Sequence, residues 1–345
     1  MTAPAPARPQ PGEELLSIEG LRVDFTDDRG RAVHALDGAG YTVRKGEILG
    51  VVGESGSGKT VTALTLMGLL PHNARVVGGQ IGFDGLDILR LARPQLRALR
   101  GRRIGMIFQD PMTALDPVVR VGDQVDEAYL IHHKSQSRKS ARSRTLSILD
   151  LVGVADPERR ARQYPHEWSG GMRQRAMIAM ALINGPDLLI ADEPTTALDA
   201  TVQAQVIDVL ARARAETGVA VVLITHNLGI IAEIADRVAV MYAGRVVEHA
   251  AVRTLLRASA HPYTRALIAS RPGSAPAGER LTPIRGMPPR MLTIPPGCSF
   301  QPRCTSAGED QRCVTDKPEL VTIGELHEAA CHHAGGQVPK GLEVE

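Results

Sequence analysis

An eight-residue segment matches the pattern that folds into a phosphate-binding loop, and it constrains the fold more than any other part of the chain. Residues 53–60 read GESGSGKT, which fits G-x-x-x-x-G-K-[ST]. The segment follows a continuous apolar run at residues 48–52 and precedes an apolar helical stretch that continues to about Leu70. The sequence therefore predicts a strand, a phosphate-binding loop and a helix in direct succession.

The residue types in this loop suit a nucleoside triphosphate with Mg²⁺. Lys59 is placed to contact the β and γ phosphates, and the Thr60 hydroxyl is placed to hold Mg²⁺. The rest of the predicted phosphate site consists of small residues whose amides can surround phosphate oxygens: Gly53, Ser55, Gly56, Ser57 and Gly58. The alternative is a glycine-rich turn that binds nothing. The strand before the loop and the helix after it disfavour that alternative.

The hydropathy pattern predicts an α/β fold. Residues 15–25 and 32–43 alternate in hydropathy, which predicts an antiparallel β region at the start of the domain. Short apolar runs at 104–108, 188–191 and 219–225 are separated by helical patterns, which favours a largely parallel sheet covered by helices. A polar, helical stretch at residues 116–163 indicates an inserted helical subdomain.

Four polar residues follow the predicted inner strands, where ligands bind in open α/β sheets. Asp192 is predicted to hold Mg²⁺ through water, and Glu193 to orient and deprotonate an attacking water. Gln109 can bind Mg²⁺ or that water, and His226 can contact the γ phosphate. The alternatives are an acidic turn, a polar surface residue and a structural histidine.

A serine and two glycines precede a further predicted helix. Ser169 is well placed to cap the helix, with Gly170 and Gly171 exposing the amides behind it. This segment is either a simple cap or a second anion site that contacts a γ phosphate held by another subunit.

Composition excludes some classes of function. The net charge is +2 and aromatic residues make up 3% of the chain, so no nucleic-acid partner is expected. No apolar run approaches the roughly 18 residues that span a bilayer, so no membrane span is expected. The Pro/Ala-rich residues at the start are expected to form a flexible tail and not a signal peptide, which predicts a cytoplasmic location.

Six motifs together resemble the nucleotide-binding subunit of an ABC transporter. They are VGESGSGKT, IFQDP, WSGGMRQR, LLIADEP, TTALD and ITHNL, and the resemblance covers roughly residues 15–270. It implies a P-loop NTPase (RecA-like) fold with an antiparallel β subdomain and a helical subdomain at about residues 110–165. It also implies that Phe25 stacks on adenine and that Asp199 lies between two paired subunits. The chain departs from the family at Trp168, Met172 and Asn227, where Leu, Gln and Asp are usual.

The resemblance also implies roles for the residues already singled out. It makes Gln109 the Q-loop residue, Asp192 and Glu193 the Walker B pair, and His226 the switch histidine. Lys59, Thr60 and the loop glycines form the phosphate site in this family. Ser169, Gly170 and Gly171 complete the site of the partner subunit.

All four cysteines lie in the last part of the chain, after a Pro/Gly-rich linker that begins at residue 271. They are Cys298, Cys304, Cys313 and Cys331, with a spacing that lacks the paired C-x-x-C of zinc ribbons. Four thiolates can hold zinc or an iron-sulfur cluster, and without a metal the cysteines would be buried inert thiols or form a disulfide. The cysteines are far in sequence from every nucleotide motif, so a structural role is expected.

The C-terminal sequence is similar to that of the oligopeptide/dipeptide importer branch of the family. HPYTRAL, IRGMPP and PPGCSFQPRC carry this similarity, which implies a 4Fe-4S cluster at the four cysteines, with Zn²⁺ as the alternative. The expected organisation is a tail at residues 1–14, a nucleotide-binding domain at 15–270 and a cysteine-containing extension at 271–345.

The resemblance implies an ATP-hydrolysing subunit of a peptide importer, located at the cytoplasmic face of the cell membrane. Its implied partners are a second nucleotide-binding subunit, either a copy or a paralogue, two transmembrane permease subunits and, indirectly, an extracytoplasmic peptide-binding protein. A soluble ABC-type ATPase that acts on nucleic acid or ribosomes is a competing interpretation, which a single cassette without basic excess disfavours. A redox-sensing regulatory subunit is another, which the intact Glu193 disfavours.

Overall fold

The structure of the chain is a computed structural model that describes residues 12–109, 114–196, 198–270, 283–289, 292 and 295–334. Within these ranges the strands are β1 (Glu14–Thr26), β2 (Ala32–Arg44), β3 (Ile48–Val52), β4 (Ala74–Phe83), β5 (Leu86–Asp87), β6 (Ile104–Ile107), β7 (Leu188–Asp192), β8 (Ala220–Thr225), β9 (Arg237–Tyr242), β10 (Arg245–Ala251), β11 (Val321–Gly324) and β12 (His327–Ala329).

The α-helices of the same ranges are α1 (Lys59–Leu66), α2 (Arg93–Leu99), α3 (Val121–Leu130), α4 (Arg138–Leu151), α5 (Pro157–Ala161), α6 (Gly170–Leu182), α7 (Ala200–Thr217), α8 (Leu228–Ile234), α9 (Val252–Ala258), α10 (Pro262–Ala269) and α11 (Arg312–Thr315). Short 3₁₀ turns occur at Ile88–Arg90, Pro165–Glu167 and Gln301–Arg303.

Two sheets contain these strands, and every strand predicted from the sequence is present in one of them. A four-stranded sheet has the order β2-β1-β4-β5, and an eight-stranded sheet has the order β11-β12-β10-β9-β3-β8-β7-β6. The two segments predicted to open the domain are β1 and β2, and the four predicted inner strands are β3, β6, β7 and β8. The prediction that the strand before His226 lies beside the strand before Glu193 is confirmed, because β8 is next to β7.

The described residues group into two compact units. One unit contains residues up to 17, 42–48 and 82–222, and the other contains residues 18–41, 49–81 and those from 223 onward. The predicted N-terminal tail falls almost entirely outside the described residues. So do the start of the predicted helical subdomain at 110–113 and the start of the predicted linker at 271–282.

In the unit with residues 82–222, β6 and β7 run in parallel and the predicted helical subdomain forms a small bundle. Ile104 pairs with Leu188, and Ile107 pairs with Ala191. Helix α3 packs on α4, α5 and α6, and α6 also packs on β6. Val125, at the centre of α3, is fully buried. The bundle therefore packs against α6, the helix that follows Ser169.

In the other unit, β3 and β9 are parallel and the strands beyond β9 are antiparallel. Strand β3 is buried along its whole length and pairs with β9 from Leu49 to Val52. Strand β10 pairs with β9 on one side and with β12 on the other, and β11 pairs with β12. The cysteine-containing extension therefore adds two short strands to the sheet, which the sequence did not predict.

Helix α1 is shorter than the sequence predicts. It ends at Leu66, whereas the apolar stretch continues to about Leu70. The next glycine, Gly68, has φ +58° and donates its N–H to the Thr65 carbonyl, and Leu69 donates to the Leu64 carbonyl. This pair of hydrogen bonds is the glycine-terminated helix end known as the Schellman motif. The single glycine thus ends the helix although the apolar pattern continues.

Candidate functional site

The predicted phosphate loop connects β3 to α1 and depends on two of its glycines. Gly53 has φ +156° and Gly58, the N-cap of α1, has φ +101°. A Cβ on Gly53 would lie 2.2 Å from the Met241 carbonyl oxygen, and a Cβ on Gly58 would lie 2.5 Å from the Leu36 Cδ2. Both positions therefore need glycine for close packing, and Gly58 needs it for its left-handed conformation too.

Lys59 lies inside this loop, with only 5% of the residue exposed. Its Nζ donates to the carbonyl oxygens of Gly53 at 2.8 Å and Glu54 at 2.9 Å, and it lies 3.4 Å from the Ser57 Oγ. Ser55, Gly56 and Thr60 are exposed. The loop thus surrounds a cation and presents its small residues to solvent, as a phosphate site requires.

Glu54, the second residue of the loop, is held by two residues from the C-terminal part of the chain. Its backbone N–H donates to the Tyr263 hydroxyl at 2.9 Å, and its carboxylate accepts from both terminal nitrogens of Arg303 at 2.6 and 3.0 Å. Sequence reasoning missed both contacts. The acidic side chain in an anion-binding loop indicated that a compensating cation could be present, but nothing near Glu54 identified Arg303 as that cation.

These contacts bear on the role that the sequence predicts for the cysteine segment. Arg303 directly precedes Cys304, and its guanidinium lies on the phosphate loop. The expectation of a purely structural role came from distance along the sequence. In the structure the cysteine segment is close to a nucleotide motif despite this separation in sequence, because Arg303 contacts the phosphate loop.

In the unit with residues 82–222, the structure brings Gln109 and Glu193 together. Asp192 is the buried last residue of β7, and Glu193 follows it with φ +47°. The Gln109 Nε2 donates to the Glu193 Oε2 at 3.1 Å, and the Thr196 hydroxyl donates to the same oxygen at 2.8 Å. The left-handed backbone at Glu193 is unusual for a residue with a side chain. Such strain at a strand end is typical of a functional site.

Ser169 caps α6, as predicted. Its side chain accepts a hydrogen bond from the Met172 N–H at 3.3 Å, and both Ser169 and Gly170 are exposed. A Cβ on Gly171 would lie 2.7 Å from the Val202 Cγ1, so this glycine lets α6 approach α7 closely. The structure therefore contains the cap, and anion binding by the same segment stays a prediction.

Asp199 caps the neighbouring helix α7. Its side chain is exposed and accepts a hydrogen bond from the Val202 N–H at 3.0 Å. Trp168, which stands where the family usually has Leu, is buried, and its indole nitrogen has no hydrogen-bond partner among the described residues. It therefore fills the position as a large apolar side chain.

His226 and Phe25, two further predicted site residues, lie at strand ends in the same unit as the phosphate loop. His226 follows β8 and is exposed, and Asn227 after it caps α8 by accepting from the Gly229 N–H at 2.9 Å. Asn227 thus performs a local structural task that suits either Asn or Asp. Phe25 is the second-to-last residue of β1 and is half-buried. Their contacts with a nucleotide stay predictions.

The four cysteines are free thiols and line one common cavity. Cys298 and Cys313 are also joined by a backbone hydrogen bond of 2.9 Å. Burial raises the pKa of Cys298 to about 11 and also raises the pKa of Cys313 and Cys331. The disulfide alternative is not realised in this structure.

The spacing of the thiols tests which metal centre they suit. Among the described residues, the set of three ligand atoms within 4.8 Å of one another comprises Asp310, Cys313 and His333, and no three thiol sulfurs meet that distance. A tetrahedral zinc ion with Zn–S bonds of about 2.3 Å holds its sulfurs about 3.8 Å apart. In this structure the four thiols are therefore not gathered at the spacing of a tetrahedral zinc site. Thiolates are the usual ligands of iron-sulfur clusters, so the donor type of these residues suits such a cluster, whose presence stays a prediction.

No α-helix in the described ranges has both the length and the apolar character that a membrane span requires.

Comparison with known families places two matches along the chain. The ABC transporter family matches residues 36–196, and the family described as the oligopeptide/dipeptide transporter C-terminal region matches residues 247–313. The first match includes the phosphate loop, Gln109, Ser169 and Glu193. The second includes Tyr263, Arg303 and three of the four cysteines.

Curated relatives are similar over most of the chain. The dipeptide transport ATP-binding protein DppD of Bacillus subtilis is 51% identical over 85% of this chain and 87% of the relative. The oligopeptide transport ATP-binding protein OppD of Salmonella typhimurium is 48% identical, over 87% of this chain and 89% of the relative. OppD of Mycobacterium tuberculosis is 50% identical over 92% of this chain. The matched region spans about half of that mycobacterial relative, namely 51% of its length.

Solved structures agree with the predicted fold class. The ATP-binding cassette MJ0796, in a dimeric structure bound to ADP and Pi, matches with a TM-score of 0.62 and 25% identity over 69% of this chain and 99% of that chain. The cbiO1 protein of Clostridium perfringens, part of the transporter complex cbiONQ, matches with a TM-score of 0.60 and 27% identity over 70% and 91%. The predicted α/β fold with a phosphate-binding loop is confirmed.

Proposed function

The chain belongs to the ABC transporter family, and from that premise we propose that it is the ATP-hydrolysing subunit of an importer of dipeptides or oligopeptides. The observation that carries the proposal is the 51% identity to a dipeptide transport ATP-binding protein over 85% of this chain and 87% of that relative. The match of residues 247–313 to the transporter C-terminal region supports the same cargo class. Neither the nucleic-acid alternative nor the redox-sensing alternative has comparable support.

The proposed reaction is in-line attack of water on the γ phosphorus of ATP. The Lys59 ammonium, together with the amides of residues 53–60, would bind the β and γ phosphates. Mg²⁺, held by Thr60, Gln109 and Asp192, would supply positive charge for the phosphate oxygens. Phe25 would stack on the adenine ring. It would hold the nucleotide and take no part in the hydrolysis of the γ phosphate.

Glu193 is proposed as the general base. Its carboxylate would accept a proton from the attacking water, and the hydrogen bonds from Gln109 and Thr196 hold that carboxylate in one orientation. Gln109 is thus a positioning residue for the base as well as a ligand for Mg²⁺ or water. His226 would contact the γ phosphate and stabilise the charge that develops there.

A second nucleotide-binding subunit, a copy or a paralogue, would complete each site. Ser169 and Gly170 are exposed at the start of α6, where amides and the positive helix end can receive a γ phosphate from a partner. Gly171 lies in the same turn, and Asp199 would lie between the two subunits. The dimeric form of the MJ0796 cassette supports this arrangement.

Two permease subunits would bind the unit that contains Gln109. Four large apolar side chains among the described residues of that unit are exposed, namely Leu86, Phe108, Val118 and Ile131, and Val118 is 77% exposed. Val118 and Ile131 belong to the helical subdomain, where exposed apolar side chains are available for contact with another protein. This supports permease contact at the helical subdomain of about residues 110–165, and through it a peripheral position at the cytoplasmic face of the membrane. An extracytoplasmic peptide-binding protein would act through the permeases.

We further propose that residues 15–270 form the nucleotide-binding domain and that residues 271–345 form an extension which holds a 4Fe-4S cluster. Cys298, Cys304, Cys313 and Cys331 would be its ligands, and Zn²⁺ is the alternative metal. The cluster would link four points of a segment that is poor in apolar residues, as metals do in other small loop-rich units. Residues 1–14 are proposed to be a tail.

Co-expression of the chain with candidate permeases tests the function directly. The assembled complex in vesicles, supplied with its peptide-binding protein on the opposite side, should take up labelled dipeptides or oligopeptides when ATP is present on the side of this subunit. The matched control carries Glu193→Gln and should take up no peptide above background. Purification of the chain with ribosomes or nucleic acid, and without permeases, would contradict the proposal.

A further inference from the structure

Arg303 is fixed in place by contacts on every part of its guanidinium. The side chain is 4% exposed, its Nε donates to the Arg285 carbonyl at 2.8 Å, and its Nη1 contacts the Tyr242 hydroxyl at 3.3 Å. The guanidinium also lies 5.8 Å from the centre of the Tyr242 ring and 5.9 Å from that of Phe300. These contacts point its two terminal nitrogens at Glu54.

The pairing with Glu54 matters because of where that carboxylate lies. Glu54 is inside the phosphate loop, between Gly53 and the exposed Ser55, so a triphosphate bound there would lie near a negatively charged residue. An arginine keeps its charge under all ordinary conditions and binds a carboxylate with two parallel hydrogen bonds. The Arg303 pair therefore both neutralises Glu54 and fixes the direction in which its side chain points.

The contact also connects the loop to the cysteine cavity. The 3₁₀ turn Gln301–Arg303 is followed at once by Cys304, which lines that cavity. Phe300, just before the turn, packs against Tyr242 and Tyr263 with ring centroids 5.3 and 5.4 Å apart. Tyr263 in turn accepts the Glu54 N–H. A structural change in the cysteine segment can thus reach Glu54 through Arg303, or through Phe300 and Tyr263.

We propose that Arg303 is a positioning residue of the nucleotide site, which neutralises Glu54 and makes the cysteine segment part of the machinery that binds ATP. This proposal rests on the proposed nucleotide function of the loop. It adds a residue from outside the ABC transporter family match, which ends at residue 196.

The first test compares four full-length proteins by calorimetric titration with Mg-ATP: the wild type, Arg303→Ala, Glu54→Gln and the double variant. Loss of Arg303 alone leaves an uncompensated carboxylate in the loop, so we expect the dissociation constant to rise about tenfold or more. Glu54→Gln removes the charge but keeps an oxygen that can accept from Arg303, so the dissociation constant should rise less than in Arg303→Ala. The double variant should recover most of the wild-type affinity, because the charge that Arg303 neutralises is absent.

The pattern of affinities separates this role from a merely structural one. If Arg303 only supported the fold, Glu54→Gln would not rescue Arg303→Ala, and that result would overturn the proposal. Arg303→Lys keeps the charge without the paired hydrogen bonds and should fall between wild type and Arg303→Ala. Wild-type affinity in Arg303→Ala would also overturn it. If the wild type itself fails to bind Mg-ATP, the proposed function of the loop fails instead.

A second test concerns the route from the cysteine cavity. Cys304→Ser should weaken Mg-ATP binding in the wild-type background, because it disturbs the turn that holds Arg303. In the Arg303→Ala/Glu54→Gln background the same change should have little further effect. An equal loss of affinity in both backgrounds would show that the cysteine segment does not act through Arg303, and that part of the proposal would be wrong.

Discussion

Gln109 donates a hydrogen bond from its side-chain amide to the Glu193 carboxylate over 3.1 Å, although 84 positions separate the two residues in the chain. The contact exists because Gln109 lies shortly beyond the end of β6 and Glu193 directly after β7, and these strands are parallel neighbours with Ile107 opposite Ala191. The Thr196 hydroxyl supports the same oxygen at 2.8 Å. The proposed base is therefore held in position by two donors.

Replacement of Glu193 by Gln should slow hydrolysis strongly while nucleotide binding persists. The amide keeps the shape of the side chain but cannot accept a proton from water, so kcat should fall about 10²- to 10⁴-fold. Single-turnover ATPase and Mg-ATP titration of the same preparation separate the two effects. Gln109→Ala is the matched control, and a smaller fall in kcat is expected because the base itself remains. A wild-type rate in Glu193→Gln would remove Glu193 from the role of base.

Replacement of Lys59 by Ala should weaken Mg-ATP binding at least about tenfold, because it removes the charged donor inside the loop. Equilibrium titration of the full chain measures the effect. Lys139, an exposed lysine of α4, offers a control, and Lys139→Ala should bind as the wild type does. Equal affinity in Lys59→Ala and the wild type would contradict the assignment of the phosphate loop.

His261 should make the fold less stable at mildly acidic pH. It is fully buried, and its Nδ1 accepts the Tyr263 N–H at 3.0 Å. Burial lowers the pKa of His261 to about 3, whereas an unfolded histidine has a pKa near 6.5. The unfolded chain therefore binds a proton below about pH 6.5 that the folded chain does not. As the pH decreases below about 6.5, the free energy of unfolding should therefore decrease too, by up to about 1.4 kcal/mol per pH unit.

His261→Asn tests this dependence, because Asn can cap α10 without titrating. Urea unfolding of the variant between pH 7.5 and 4.5 should give a shallower decline than the wild type gives. The same change at His72, an exposed histidine, should leave the wild-type slope unchanged. Parallel slopes for the wild type and His261→Asn would exclude His261 as the source.

Protein purified without oxygen should be brown and contain iron and acid-labile sulfide, and Cys304→Ser should lose both the colour and the iron. The four thiols provide the ligands of the proposed cluster, and removal of one opens the centre to solvent. His333→Ala is the informative control, since His333, Asp310 and Cys313 are the compact trio that a single metal ion would suit. Stoichiometric zinc that survives Cys304→Ser and disappears in His333→Ala would contradict the cluster.

Local patterns predicted most of the nucleotide-binding fold. The glycine loop before α1, the inner strands and the cap at Ser169 each depend on a few consecutive residues, whose conformational preferences can be read directly. The neighbouring positions of β7 and β8 followed from general rules of α/β topology.

Long-range contacts could not be predicted in the same way. Arg303 and Glu54 are 249 positions apart, and no pattern near either residue specifies the other. Strand β11 has mostly exposed residues without alternation, so its sequence gives no strand signal. Helix α1 ended earlier than expected because Gly68 outweighs the apolar residues around it.

Strand β12 of the C-terminal extension pairs with β10, so that β10 is not an edge strand of the sheet. Without β12, the N–H and C=O groups of β10 that now bond to it would face water, beside the apolar side chains of Val246 and Val247. An unpaired strand of this kind is a template for association with other chains. Removal of β12 would also take His327 from the fully buried Glu248, 2.8 Å away, and leave that carboxylate with two backbone amides. A version of this protein shortened at residue 270 should therefore aggregate because of its uncovered strand, apart from any effect of losing the cysteines.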